Sequence, residues 1–276
     1  VADAGREAFR CLEREGWERV APLFVAHWES LTSLFVDALL DGAAAGPGVS
    51  LLDVGCGPGL LAAAAAARGA RVVGCDASPS MVRAARERFP DLDVRVADAE
   101  DLPFAPESFD RVTMSFTVHH LADPERAFSE ARRVLAPGGL LAFAVWAPPE
   151  ENPGARIVDE ALRAHADLTV PVPEGPPRDL YADPAGCRRT LARAGFEATS
   201  VAARTHRADW LLRDADMLFQ AELRAGVRTT ALLARQTPER LAAVRAAMAA
   251  GVKGFAVPGG YAIPMTALML TARAAL

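Results

Sequence analysis

The run Leu51-Leu52-Asp53-Val54-Gly55-Cys56-Gly57-Pro58-Gly59 gathers residues able to do chemistry. Its apolar half reads as a strand. Its glycine half reads as a tight turn whose bare backbone a ligand can approach closely. The alanine-rich stretch from Leu60 reads as a helix. A phosphate would sit well at that helix start, but Asp53 places a carboxylate beside the turn and repels one. The spacing also departs from a dinucleotide fingerprint, because Leu60 stands where the last glycine of Gly-x-Gly-x-x-Gly would fall counting from Gly55. A carboxylate at a glycine turn suits a phosphate-free nucleoside that carries cationic amino and sulfonium groups. Asp76 lies 19 residues after Gly57 and closes the apolar run Val72-Val73-Gly74-Cys75. It can accept from both hydroxyls of a ribose, or cap the helix opening at Pro79. Asp98, in Val96-Ala97-Asp98-Ala99-Glu100, can accept from an adenine amino group or simply stiffen a turn. Ala99 leaves room for the ring, and Met81 packs on its face or in the core.

His119-His120 is the candidate general base, since it follows a strand at the end where open α/β sheets bind ligands. Its alternative is to orient the loop before Leu121 and Asp123-Pro124. His27 and Trp28 are candidates to touch a substrate, with packing as the plain alternative. His206 reads as structural. Phe24, Trp28, Phe35, Trp146, Trp210 and Phe219 supply an apolar surface that favours an apolar or aromatic small molecule.

These residues need a frame. Residues 1–46 predict an N-terminal helical cap, from apolar positions at mixed three- and four-residue intervals and a Gly/Pro break at Gly42 to Gly48. Residues 47–146 alternate strand and helix. Strands are expected at Val49–Val54, Arg71–Cys75, Val94–Val96, Phe109–Ser115 and Leu140–Trp146. Helices are expected from Leu60, from Ser78-Pro79 and from Asp123-Pro124, where a capping side chain precedes proline. Long connections between strands imply right-handed crossovers and a mostly parallel sheet. Residues 147–182 are proline-rich around one helix near Ala155 to Ala166 and predict an insertion over the core. Residues 183–276 predict completion of the sheet, with a helix to Gly195, strands within Phe196–Trp210 and Tyr261–Ala272, and lid helices over 213–250.

Composition narrows the function. Of 276 residues, 51% are hydrophobic and 24% charged, enough to bury a large core. The net charge of -5 and the absence of a basic run disfavour nucleic acid as a partner. Lys253 is the sole lysine. Cys11, Cys56, Cys75 and Cys187 form no close pair, so neither a disulfide framework nor a metal site is expected, and free thiols suit a reducing cytoplasm. No signal peptide or membrane-spanning run is visible.

The successive stretches Leu51–Gly59, Val73–Met81, Arg95–Phe104, Phe109–Leu121 and Arg133–Trp146 resemble the motifs of class I S-adenosylmethionine-dependent methyltransferases. The nearest resemblance is to the branch of ubiquinone/menaquinone-biosynthesis and natural-product enzymes, and it covers about half of the chain. The resemblance implies a seven-stranded, Rossmann-like α/β sheet sandwiched by helices, with the last strand antiparallel and a helical cap. It implies S-adenosylmethionine as cofactor and S-adenosylhomocysteine as product. Asp53, Gly55, Cys56 and Gly57 would line the methionine part, with Asp76 and Ala77 at the ribose. Met81, Asp98, Ala99 and Glu100 would lie around the adenine, and Ser115 and Phe116 near the methyl group. Phe24, His27, Trp28 and Trp146 would face an acceptor. The DNA amino-methylase motif Asn/Asp-Pro-Pro-aromatic is replaced by Phe116-Thr117-Val118-His119. An enzyme of the same fold catalysing another step, such as a cyclisation, and a non-catalytic binding protein are the alternative readings. A dehydrogenase is disfavoured by Asp53. The acceptor, the atom methylated and the oligomeric state are left open.

Overall fold

The structure is a computed structural model and describes residues 2–275. The chain opens with α1 (Ala2–His27), α2 (Glu29–Thr32) and α3 (Val36–Gly42). It then alternates through β1 (Ser50–Val54), α4 (Leu60–Ala67), β2 (Arg71–Asp76), α5 (Pro79–Arg88), β3 (Asp93–Val96), β4 (Phe109–Ser115), α6 (Pro124–Val134) and β5 (Leu135–Trp146). After these come α7 (Pro153–His165), α8 (Pro184–Arg193), β6 (Ala202–Leu212), α9 (Met217–Arg224), α10 (Arg228–Leu233), α11 (Pro238–Lys253), β7 (Ala256–Val257) and β8 (Gly260–Arg273). Helices α5, α6, α7, α8 and α11 each begin on a proline preceded by a side chain that accepts from the first turn: Ser78, Asp123, Asn152, Asp183 and Thr237. Proline lacks the amide that would be orphaned there, and the cap satisfies another.

The sheet runs in the order β3-β2-β1-β4-β5-β8-β6. Strands β1 to β5 pair in parallel, and β8 lies antiparallel between β5 and β6. The expected mostly parallel α/β sheet is therefore present, with its reversed strand inside the order. The two-residue β7 adds an eighth strand, hairpinned to β8 through Pro258-Gly259. Glycine at φ 85° supplies the positive dihedral that such a short turn needs.

Two boundaries differ from the sequence reading. Strand β5 starts at Leu135 rather than after Gly139, because Leu135 is fully buried and pairs with Phe109. The register then jumps to Leu140 opposite Arg111, so 136–139 bulge out of the ladder. The strand expected within Phe196–Trp210 runs from Ala202 and passes that range by two residues, to Leu212. Phe196 makes a single bridge to Ala274, and a 3-10 turn at Ala198–Ser200 intervenes.

Both faces of the sheet are covered, as its apolar strands require. On one face, Phe128, Phe143 and Leu270 pack with Cys187 and Leu191 of α8. On the other, Leu31, Phe35 and Leu39 pack with Trp210, Leu218 and Met248. The N-terminal cap bends by 64° between α1 and the segment Glu29–Gly42. No single helix among the described residues is long and apolar enough to cross a membrane.

Candidate active site

The carboxyl ends of β1, β2 and β4 open into a cavity of about 550 Å³. Asp53 sits there, 1% exposed. Its Oδ1 accepts from Thr113 Oγ at 2.9 Å, whereas its Oδ2 is buried without a partner. Burial pushes the carboxyl up to about 7; the Thr113 hydrogen bond and, more weakly, the nearby Ala62 amide oppose this, and the charge of Asp76 adds to it. Gly55 adopts φ 70°, and a Cβ there would fall 2.4 Å from Thr117 Cγ2. Gly57 adopts φ 51° with nothing within 4 Å of a Cβ, so its backbone is bare toward open space. Asp76 accepts from the Gly57 amide through Oδ2 and the Ser78 amide through Oδ1, each at 2.9 Å. Thus the second carboxylate locks the glycine turn, and one lone-pair position on each oxygen is not used by these bonds. Ser78, not Asp76, caps α5.

Asp98 is exposed at the cavity rim, and its Oδ1 accepts from the Glu100 amide at 2.9 Å. Ala97, Ala99 and Met81 are buried beside it and line the same wall. Glu100 also touches the cavity, but its oxygens are engaged: Oε2 pairs with Arg10 at 2.6 Å and Oε1 accepts from the Asp123 amide at 2.8 Å. It fastens α1 and α6 to the loop after β3. Cys56 is buried on the wall, and burial raises its thiol well above the ordinary range. Ala77 and Ser115 line the cavity as well. Phe116 holds φ 54°, rare for an aromatic residue. Its ring stacks on Trp146 at 4.0 Å, and its amide donates to Ala144 O.

The two histidines lie on a 3-10 turn, Val118–His120, and both line the cavity. His119 is 3% exposed, and its Nδ1 has no partner. His120 Nδ1 lies 2.9 Å from Glu13 Oε2, and its ring meets the edge of Trp17 at 4.8 Å. Burial keeps both imidazoles well below the usual pKa, helped by the charges of Arg228 and Arg178. Burial also raises Glu13 to about 7 against the pull of Arg228. Phe24, Trp28 and Trp146 stand on the wall, with Trp28 stacked on Trp210 at 5.7 Å. His27 is not on that wall. It ends α1 just before the bend, half-buried near Arg224.

Sequence reading missed Glu13, Arg178, Glu222 and Arg228, which close the cavity from the cap side. Each lies in a charge-containing stretch that reads as solvent-facing. No local pattern marks the one charge that turns inward.

The sequence and the fold match known proteins. A methyltransferase-domain family matches residues 52–143. The demethylmenaquinone methyltransferase of Renibacterium salmoninarum is 38% identical over 124 residues, 45% of this chain and 52% of that protein. The demethylmenaquinone methyltransferase of Mycobacterium sp. (strain JLS) is 34% identical over 160 residues, 55% of this chain and 69% of that protein. A SAM-dependent methyltransferase from Thermotoga maritima shares the fold with a TM-score of 0.54 and 17% identity, covering 95% of this chain and 99% of that one. The chain belongs to the class I S-adenosylmethionine-dependent methyltransferases, close to the menaquinone-type branch. It spans about half the length of the first curated relatives it matches.

Proposed function

We propose that this chain transfers a methyl group from S-adenosylmethionine to a small acceptor held in the same cavity, releasing S-adenosylhomocysteine. The observation that carries this reading is Asp53 Oδ2, a buried carboxylate oxygen with no partner beside a bare glycine turn. Such an atom is costly unless a ligand supplies a donor, and an α-amino group supplies one with a compensating charge. Asp76 would take the ribose, and Asp98 with Ala99 and Met81 the adenine. When bound, S-adenosylmethionine would supply an electrophilic methyl on a sulfonium, whose neutral thioether is a leaving group that needs no protonation. The chain's own contribution is alignment and exclusion of water. Phe116, Trp146, Trp28 and Phe24 would wall the acceptor on its apolar side. His120, kept neutral by burial and oriented by Glu13, would take a proton from an acceptor that must lose one. His119 is the neighbouring candidate for that role. Calorimetric titration with S-adenosylhomocysteine and NADH tests the reading. Saturable binding of S-adenosylhomocysteine alone is expected. Binding of NADH alone would overturn it.

A further inference from the structure

Buried acceptors without a hydrogen-bond partner gather at the cap-side end of the cavity. Four buried side-chain atoms among the described residues lack a hydrogen-bond partner, and all four belong to residues of this one cavity: Asp53 Oδ2, Glu13 Oε1, His119 Nδ1 and Glu222 Oε2. The first lies at the glycine turn. The other three sit together with Arg178 and Arg228. Glu222, on α9, is 2% exposed. Arg178 approaches its Oε1 at 3.6 Å while donating to Thr229 Oγ at 2.8 Å. Arg228 Nε lies 3.1 Å from Glu13 Oε1 as an ion pair without hydrogen-bond alignment, one terminal nitrogen donates to Pro176 O at 2.7 Å, and the other to His119 O at 2.5 Å. The arginines therefore face the two glutamates, and a carboxylate or phosphate entering this end would meet both acidic side chains as well as the arginines. Glu222 Oε2, buried beside Gly226 in the wall of the cavity, has no donor from the protein.

We infer that Glu222 is an acceptor-recognition residue: the methyl acceptor carries a hydrogen-bond-donating group, a hydroxyl or an amine, that binds Glu222 Oε2 while its apolar body rests on the tryptophan-lined wall. This rests on the proposed methyl-transfer reading, since it assigns the second ligand of the same cavity. It replaces a purely apolar acceptor with an amphiphilic one.

Three matched compounds test it: 2-naphthol, 2-naphthylamine and 2-methoxynaphthalene, titrated calorimetrically into protein saturated with S-adenosylhomocysteine. At least one of the two donors should bind about tenfold or more tighter than the methoxy compound, as expected when a charged acceptor is left unpaired. Comparison of naphthol with naphthylamine tells hydroxyl from amine. In Glu222→Met the preference should fall below about threefold while S-adenosylhomocysteine affinity is kept. If that variant does not fold, Glu222→Gln replaces it. Its amide can donate to the methoxy oxygen and should likewise erode the preference. Equal binding of all three compounds, binding of none, or a preference that survives in a folded Glu222 variant overturns the inference. Loss of S-adenosylhomocysteine binding by the parent protein would instead overturn the methyl-transfer reading.

Discussion

Burial holds the Asp53 carboxyl at about 7, so near neutrality much of the ligand-free protein carries it protonated. A cationic amino group favours the ionised form, so binding must release a proton. Affinity for S-adenosylhomocysteine should therefore fall as pH drops below 7, by up to about tenfold per unit, and level off above it. Asp53→Asn should weaken binding by about ten- to hundredfold at pH 8, the worth of a charged hydrogen bond, and abolish the slope. Calorimetry across pH 5.5–8.5 checks both, and a slope retained in the Asn variant refutes the assignment. Stability moves the other way. The folded pKa lies above the unfolded one, so ionisation of Asp53 opposes folding progressively from about 4 to about 7 and fully above that. The same Asn variant should thus melt higher than the parent at pH 8, a gain absent at pH 4. The two glycines separate in the same manner. Gly55→Ala combines left-handed strain with a clash on Thr117 and should cost about 1–3 kcal/mol in urea unfolding. Gly57→Ala meets no protein atom, so beyond the strain its effect should appear as weakened S-adenosylhomocysteine binding.

At the level of the elements, α1 does more than cover the sheet. It brings Glu13 to His120 across 107 positions of sequence, and Glu18 to the start of α5, where it accepts from Ser78 Oγ and the Ser80 amide. The site is complete only with this helix docked. Glu13→Gln should lower the turnover rate about tenfold or more at saturating substrate, and shift the acidic limb of the pH–rate profile, where the neutral imidazole is lost. Affinity for S-adenosylhomocysteine should stay unchanged, because Glu13 lies at the other end of the cavity. Unchanged kinetics would reduce Glu13 to a packing role. The bend between α1 and α2 has a matching consequence for shape, since it places Trp28 against Trp210 and so sets the apolar wall.

Across the whole molecule, the parts legible in sequence were those written in local pattern. Apolar runs broken by glycine gave the strands, Ser78-Pro79 and Asp123-Pro124 gave helix starts, and Asp53 near the end of β1, Asp76 closing β2 and Asp98 just past β3 stand at readable positions. Residues 136–139 deceived because Pro137-Gly138-Gly139 reads as a stop, whereas the burial of Leu135 carries the ladder past it. The acceptor side was illegible for another reason. Glu13 and Glu222 acquire meaning only from Arg228 and Arg178, far away in sequence, and α1 offers several other charges that stay in water. The strand order carries one more consequence, for how the chain is made. During translation β6 emerges well before β8, yet β8 is its neighbour along its whole length. The nascent β6 must wait with an open edge through the synthesis of three helices, which invites mispairing with other chains. A chain ending at residue 259 should accordingly aggregate, as light scattering would show, and adding a peptide of residues 260–275 during refolding should suppress it.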